Sequence, residues 1–172
     1  MENPTSGEKA FYLWVLLAQA KDAIHKARNR ELDKYNITTW RSAVFVRIEA
    51  LGDKATPAQI SRWLLREPHS TSELLTRMEK EGLVKRVKDL DKKNMVRVVI
   101  TEKGHELRKK SRETETLHNI MSCLSEEECR IMWSCLKKLR DRALQEIGIE
   151  EGIPFPPPES RELFRSGGEK GS

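Results

Sequence analysis

Long apolar runs, paired cysteines and glycine-rich loops are what this sequence lacks. No stretch approaches the roughly 18 consecutive apolar residues that mark a membrane-spanning helix. The cysteines number three, an odd count that argues against a framework of structural disulfides. Closely spaced Cys and His ligands, a phosphate-binding glycine loop and a nucleophile elbow are also missing. These absences argue against a membrane protein, a metal site and an enzyme, and we expect no cofactor.

The composition is that of a helical, soluble domain with a mild positive charge. The chain has 172 residues, enough for one domain with appendages and a real hydrophobic core. Charged residues make up 34% of the chain, hydrophobic residues 37%, and the formal net charge is +5. This charge allows an anionic partner such as nucleic acid but does not require one, because lysines also serve solubility.

The N-terminal apolar run imitates an export signal but belongs to a long helix. FYLWVLLA, residues 11–18, is preceded by Glu2 and Glu8 against a single Lys9, whereas a secretion signal carries positive charge there. Apolar residues continue at steps of three and four to Leu32, which predicts one amphipathic helix. We therefore expect a cytoplasmic protein.

Capping residues, prolines and glycines divide the middle of the chain into short helices. The signals are the stop at Gly52, the N-cap Thr56, the break at Pro68, and a capping box formed by Ser70 and Glu73. They predict helices over residues 39–51, 57–65 and 70–81.

Beyond Gly82 the apolar pattern changes from a helical period to alternation. The runs at 83–88 and 95–100 are rich in β-branched residues and predict paired strands joined by a lysine-bearing connection at 89–94. The later segments are predicted as a helix over 101–122, a helix opened by a capping box at Ser125 and reaching 147, and a disordered tail from 148.

The order of these elements predicts a mainly α fold with a small β-wing, a winged helix-turn-helix with a flanking helical dimerisation region. The helix over 70–81 follows another helix through a tight break, and the strands come directly after it. We assign residues 1–36 to an N-terminal dimerisation helix, 37–104 to the winged helix-turn-helix DNA-binding domain, 105–147 to C-terminal dimerisation helices and 148–172 to the disordered tail.

The stretch LLREPHSTSELLTRMEKEGLVKRVKDLDKKNMVRVVITEKG, residues 64–104, resembles the central motif of the MarR family of bacterial transcription regulators. In that family a helix ending R-L-E-k-x-G-L-v-x-R leads into a wing with an Asp and basic residues, then a Leu-Thr-x-x-Gly helix start. The resemblance implies a homodimeric winged helix-turn-helix repressor or activator, often tuned by a small ligand. The wing tip departs from the family, because Asp91-Lys92-Lys93 stands where an Asp followed by arginines is usual. Lysine is a poorer narrow-groove probe than arginine, so we expect mostly phosphate contacts.

The candidate DNA contacts lie on the outward face of the 70–81 helix and on the wing. A helix after a tight turn can enter the major groove, while a basic hairpin beside it reaches phosphates or the minor groove. Glu73 also faces outward, but its capping-box position explains it better than a contact to cytosine does. The wing lysines alone would also suit an edge strand protected against aggregation. The candidates are His69, Ser70, Ser72, Thr76, Arg77 and Lys80 on the helix, and Arg86, Lys88, Lys92, Lys93 and Arg97 in the wing.

The first helix and the last two carry wide apolar stripes with no other obvious core to join. Two recognition helices held about 34 Å apart can grip successive major-groove faces of a pseudo-palindrome, which a single helix cannot do. These outer helices are therefore predicted to form a homodimer interface, although packing within one chain would use the same stripes.

A site for a small aromatic or anionic effector, between the dimer helices and the winged domain, is implied by the resemblance. Its candidate lining is Trp14, His25, Trp40 and Arg47, residue types that more often serve as ordinary core or surface. The cysteines Cys123, Cys129 and Cys135 are interpreted as small buried apolar residues and not as redox sensors.

The predicted function is a MarR-like DNA-binding transcription regulator, acting as a homodimer on a pseudo-palindromic operator. The expected partners are double-stranded DNA, a second copy of the chain and the effector, with no membrane. The alternative is a winged-helix module that holds a protein partner on the same surface or through the Pro-rich tail.

Overall fold

The computed structural model describes residues 5–88, 95–112 and 115–149 of the protein. Over these ranges the fold is mainly helical, with a two-stranded antiparallel sheet, so the predicted fold class is confirmed. The helices are α1 (Ser6–Leu32), α2 (Thr39–Leu51), α3 (Pro57–Leu64), α4 (Pro68–Lys80), α5 (Glu102–Arg112), α6 (Glu115–Met121) and α7 (Glu126–Glu146), and the strands are β1 (Val84–Lys88) and β2 (Val96–Ile100). The predicted tail beyond residue 149 lies outside the described residues.

Two helices begin where capping residues predict them, and α2 begins after a cap, Thr38, that was not singled out from the sequence. Thr38 and Thr56 each accept a hydrogen bond from the backbone N–H three residues later, and Ser125 forms a reciprocal capping box with Glu128. These side chains satisfy N–H groups that have no partner within the helix. The helices predicted over 39–51, 57–65 and 126–147 are confirmed to within one residue.

The start of α4 differs from the prediction. The helix begins at Pro68, with Glu67 at the N-cap position, so Ser70 and Glu73 lie inside it. The predicted capping box at Ser70 is therefore wrong. Proline has no N–H to satisfy and its fixed φ suits the first helical position, so Pro68 opens the helix instead of breaking the chain.

The helix predicted over residues 101–122 corresponds to α5 and α6, and residues 113 and 114 between them lie outside the described ranges. Glu31 of α1 accepts hydrogen bonds from the backbone N–H groups of Glu115 (2.8 Å) and Thr116 (3.2 Å), so its carboxylate caps the start of α6. Partial burial raises the pKa of Glu31, but the hydrogen bonds from Thr116 and Glu115 outweigh that effect and leave the pKa lowered. The cap therefore keeps its negative charge to a lower pH than an ordinary Glu would.

One hydrophobic core joins α2, α3, α4 and the base of the wing. On α4 Thr71, Leu75 and Met78 are buried and Leu74 is half-buried, on the side opposite the predicted contact face. Trp40 of α2 lies outside this core: it is 42% exposed, and its ring lies toward His25 of α1. The core residues are Val44, Phe45, Ile48, Leu51, Ala55, Ile60, Trp63, Leu64, Leu75, Met78, Leu83, Val84 and Val98, with Leu144 of α7.

The wing is held at its base on both sides. β1 and β2 pair antiparallel with Arg86 opposite Val98, and the Val98 N–H donates to the carbonyl of Ala55 (2.8 Å), between α2 and α3. At the end of the sheet next to α5, the Thr101 N–H donates to the Leu83 carbonyl (3.1 Å). The predicted strands are confirmed, and the connection over residues 89–94 lies outside the described residues.

Large apolar side chains remain exposed on α1 and α7. Those on the first half of α1 are 43% to 68% exposed, and they come from six of seven consecutive positions, so they extend around the helix. Among the described residues, no helix is both long enough and apolar enough to cross a membrane. The exposed residues are Phe11, Tyr12, Leu13, Trp14, Leu16 and Leu17 on α1, and Ile131, Leu136 and Leu139 on α7.

Gly104 of α5 should be intolerant of any side chain. An added Cβ would overlap the backbone carbonyl oxygen of Leu83 and lie 2.7 Å from Cγ2 of Ile100. We expect Gly104→Ala to lower the free energy of unfolding by about 3 kcal/mol, the upper end of overpacking costs, because the main obstacle is backbone. Urea unfolding followed by circular dichroism measures the change.

Gly7→Ala is the matched control, because Gly7 is also helical and its added Cβ would meet only Thr5 Oγ1 at 4.0 Å. Alanine should leave the stability equal or raise it by up to about 1 kcal/mol there. Equal stabilities for the two variants would contradict the close approach of α5 to the wing.

Candidate nucleic-acid interface

The corner between α3 and α4 fixes the direction in which α4 leaves the core. Leu65 ends α3 in the left-handed conformation (φ 51°). The Arg66 N–H then donates to the carbonyl of Ser61 (3.2 Å), and the Ser61 hydroxyl donates to the carbonyl of Arg66 (2.7 Å). Because both bonds cross the corner, α4 is held as the second helix of a helix-turn-helix.

The outer face of α4 carries the predicted contact residues. His69, Ser72, Arg77 and Lys80 are exposed. They project from the side of the helix opposite the buried stripe, so a groove-sized partner could approach them directly. Ser70 and Thr76, at the edges of this face, are half-buried.

Glu73 lies among these residues as their ion-pair partner. Its Oε1 is 3.2 Å from Nε2 of His69, and its Oε2 is 3.5 Å from Nη2 of Arg77, each one helical turn away. The sequence-based explanation of Glu73 as a helix cap is therefore wrong, since the helix begins five residues earlier. The acid instead belongs to the outer face of α4.

Arg86 of β1 connects the wing to α4. Its backbone N–H donates to Oε1 of Glu79 (2.8 Å), its guanidinium pairs with the Glu79 carboxylate, and its Nη2 donates to the hydroxyl of Thr76 (3.2 Å). Arg86 and Thr76 were predicted as DNA contacts, and the structure gives both of them partners within the protein. We call this set of three residues the wing brace.

The other basic residues of the wing differ in their surroundings. Arg97 pairs with Asp53 in the turn after α2, whereas Lys88 is exposed at the end of β1. Lys92 and Lys93, the predicted contacts at the tip, lie outside the described residues.

Sequence reasoning did not identify two residues that shape this surface. No role was assigned to Glu79 from the sequence, although an acid in the last turn of a helix followed by a basic strand is a signal for such a pair. Lys103 donates from Nζ to the carbonyl of Glu81 (2.8 Å), which adds a cation at the C-terminal end of α4. No local pattern indicated that contact, because it joins α5 to α4 across the wing.

A cavity of about 330 Å³ lies between α1 and α2, behind the helix-turn-helix. The Nε2 of His25 is 2.9 Å from the Thr39 hydroxyl, and its ring is 6.3 Å from that of Trp40. The guanidinium of Arg66 lies 4.3 Å from the ring centre of Trp40, within reach of a cation–π contact. The cavity is lined by Lys21, Asp22, His25, Thr39, Trp40 and Ala43.

Only part of the predicted effector site is brought together. His25 and Trp40 line the cavity, but Trp14 lies on the exposed part of α1 and contacts Phe11, with the ring centres 6.0 Å apart. Arg47 donates from Nε to the carbonyl of Trp63 (3.1 Å) instead, and burial lowers its pKa. Trp14 and Arg47 therefore do not line this cavity.

Among the described residues, neither the cysteines nor a cluster of metal-ligating side chains forms another functional site. Cys123 and Cys135 are exposed and Cys129 is half-buried, so the prediction that all three are buried is wrong. They lie on α7 or just before it, and Leu144 is the buried residue of that helix. Within the described ranges, no cluster of three or more His, Cys, Asp or Glu side chains is placed to hold a metal ion.

Comparison with known proteins finds the same architecture elsewhere. Residues 44–104 match a family of winged helix DNA-binding domains. The organohalide-sensing transcriptional regulator RdhR-CbdbA1625, whose structure contains 2,4-dichlorophenol, is 34% identical over 84% of this chain and 88% of that chain, with a TM-score of 0.71. A MarR family protein from Bacillus stearothermophilus is 26% identical over 81% of this chain and 99% of that chain, with a TM-score of 0.67.

A cysteine mutant of MarR from E. coli, solved with operator DNA, is 19% identical over 79% of this chain and 99% of that one, with a TM-score of 0.68. At this identity the likeness shows the fold alone. Among curated protein sequences, no significant match is found.

Replacing Arg86 by lysine tests the wing brace. Lysine keeps the charge but cannot bond Glu79 and Thr76 together, because it lacks the planar fork. We expect Arg86→Lys to lower the free energy of unfolding by about 1 kcal/mol, a modest loss because the side chains of Arg86 and Glu79 are 29% and 33% exposed and so partly screened. Urea unfolding measures it.

The control is Lys85→Arg on the neighbouring, exposed position of β1. It should change the stability by less than about 0.5 kcal/mol, as surface substitutions usually do. If both variants unfold at the same urea concentration as the original protein, the guanidinium bonds of the brace contribute nothing to stability.

Proposed function

This chain belongs to the MarR family of winged helix-turn-helix transcription regulators, and we propose that it binds an operator as a homodimer with α4 of each protomer in a major groove. It is a DNA-binding regulator and not an enzyme. Its DNA lies in the bacterial cytoplasm, where we place its action.

One observation carries this binding mode: the exposed face of α4 and the wing beside it are held as one unit. The wing brace bonds β1 to α4, while Val98 bonds β2 to the segment before α3. A duplex that accepts the outer face of α4 in its major groove therefore meets the wing at a fixed offset. Lys80 and Lys88 are exposed and supply cations for the phosphates.

The apolar surface of α1 supports the homodimer. Its exposed side chains extend around the first half of the helix, and contiguous exposed apolar patches of this kind mark interaction sites. α7 offers a second apolar stripe, and a two-fold dimer would bury both surfaces in a self-complementary interface. Such a dimer presents two copies of α4 to one duplex.

Selection of bound sequences from random DNA tests the function. We expect an inverted repeat whose half-sites are about one helical turn, 10 base pairs, apart. Affinity for that duplex should fall steeply with rising salt, because each cation on a phosphate releases counterions. Lys80→Ala should reduce the slope of log affinity against log salt by about 1.

Lys138→Ala, an exposed lysine on α7, is the control and should leave that slope unchanged. Failure to enrich any sequence, together with binding to a protein partner at the same surface, would instead support the protein-interaction module. Enrichment of a single half-site by a monomer would contradict the dimer.

We further propose that the cavity between α1 and α2 binds a small aromatic molecule with a hydroxyl or anionic group. Trp40 and His25 offer flat walls, while Lys21 and Thr39 offer donors. The cavity's volume lies at the lower end of the range for ligand sites, about 300 to 1,000 Å³. The RdhR regulator with 2,4-dichlorophenol suggests a halogenated phenol as the first probe.

The same cavity is connected to the recognition helix. Arg66 stacks on Trp40 from the outside, and its backbone forms the corner between α3 and α4. A ligand that displaces Trp40 would disturb Arg66 and so bias the direction of α4. Ligand binding and DNA binding would then be coupled, each changing the affinity for the other equally.

The ligand proposal predicts an effect of His25 on phenol binding. His25→Ala removes one wall and one hydrogen-bonding group, so the affinity for 2,4-dichlorophenol in isothermal titration calorimetry should fall at least about threefold, the cost of one lost hydrogen bond. The phenol should also weaken binding of the selected duplex by the original protein.

His105→Ala, at an exposed histidine of α5, serves as the control and should bind the phenol unchanged. Equal affinities for both variants, or no phenol binding at all, would reject a phenol site in this cavity while leaving DNA binding intact.

A further inference from the structure

An acidic residue occupies the middle of the face that α4 presents to DNA. Glu73 is 53% exposed in its side chain, and the residues two positions before and after it, Thr71 and Leu75, are buried. Positions two apart on a helix point in roughly opposite directions, about 200° apart. Glu73 therefore projects directly away from the core, between the basic residues that flank it.

Neither helix capping nor a buried ion pair explains an acid at position 73. Glu73 does not cap the helix, because α4 begins at Pro68. It also does not stabilise the fold through a buried contact, since its ion-pair partners His69 and Arg77 are 86% and 66% exposed, and pairs this exposed contribute little. A negative charge in the centre of a DNA-binding face costs affinity for any duplex, so its benefit must lie elsewhere.

The centre of a groove-bound helix faces base edges, while the phosphates lie to its sides. In the major groove a carboxylate accepts a hydrogen bond from the N4 amine of cytosine, and arginine donates two bonds to guanine. The carboxylate of Glu73 is held from both sides by His69 and Arg77, which limits its rotamers before DNA arrives. Its central position suits base recognition.

We propose that Glu73 is a specificity-determining residue that accepts a hydrogen bond from a cytosine amine in each half-site and positions Arg77 for a neighbouring guanine. The inference rests on the proposed placement of α4 in the major groove. Glu73 raises the ratio of operator to non-specific affinity. Its charge weakens binding to every duplex, and only on the correct base pair does the hydrogen bond offset that cost.

Glu73→Gln is the test, because the amide keeps the shape, loses the charge and pairs preferentially with adenine through N6 and N7. In selection from random DNA, the original protein should prefer cytosine at one position of each half-site, and Glu73→Gln should prefer adenine there. The affinity ratio between the cytosine and adenine duplexes should change at least about tenfold. Binding of Glu73→Gln to random-sequence DNA should tighten.

Glu67→Gln is the matched control, since Glu67 is an exposed acid at the N-cap of the same helix and its side chain makes no capping bond. It should tighten non-specific binding but leave the preferred bases unchanged. Both variants should unfold at the urea midpoint of the original protein, because both side chains are exposed.

The outcomes separate the alternatives. Unchanged base preference for Glu73→Gln, or identical behaviour of the two variants, would overturn the assignment and leave Glu73 as a repulsive charge only. If the original protein itself enriches no sequence, the proposed placement of α4 in the groove fails, and the role of Glu73 fails with it.

Discussion

A helix and a hairpin can grip the same duplex only if the offset between them is fixed, and in this protein the wing brace fixes it. Arg86 uses its backbone N–H and both arms of its guanidinium to bond Glu79 and Thr76 of α4. The shared core below them, with Met78 and Val84 both buried, prevents the two elements from sliding apart. The position of the wing relative to the basic residues of α4 depends on this contact.

Local signals predicted most of the fold, because helix ends depend on neighbouring residues. The caps Thr56 and Ser125 predicted the starts of α3 and α7. The start of α4 was missed because a proline can either end a helix or occupy the first position of the next one. The residues that follow Pro68 are helical, so it opens α4. The contact of Glu31 with the start of α6 was missed because Glu31 belongs to a distant helix.

The candidate site was predicted less completely, for the same reason. The outer face of α4 followed from helical periodicity, whereas the partners of Arg86 and Arg97 depend on how the wing packs. His25 and Trp40 meet in one cavity, but Arg47, only seven residues beyond Trp40, turns toward Trp63. The sequence shows which side chains are suited to bind a ligand. The rotation of each helix about its axis decides which of them reach the cavity.

The close approach of α5 to the wing has a mechanical consequence. At Gly104 the backbone of α5 rests on the carbonyl of Leu83 with no room for a methyl group, and Thr101 ties the start of the helix to Gly82. A tilt of α5 therefore cannot be absorbed at this junction and must carry the hairpin with it. Because this contact lies at the start of β1, a shift of α5 would be transmitted first to the base of the wing.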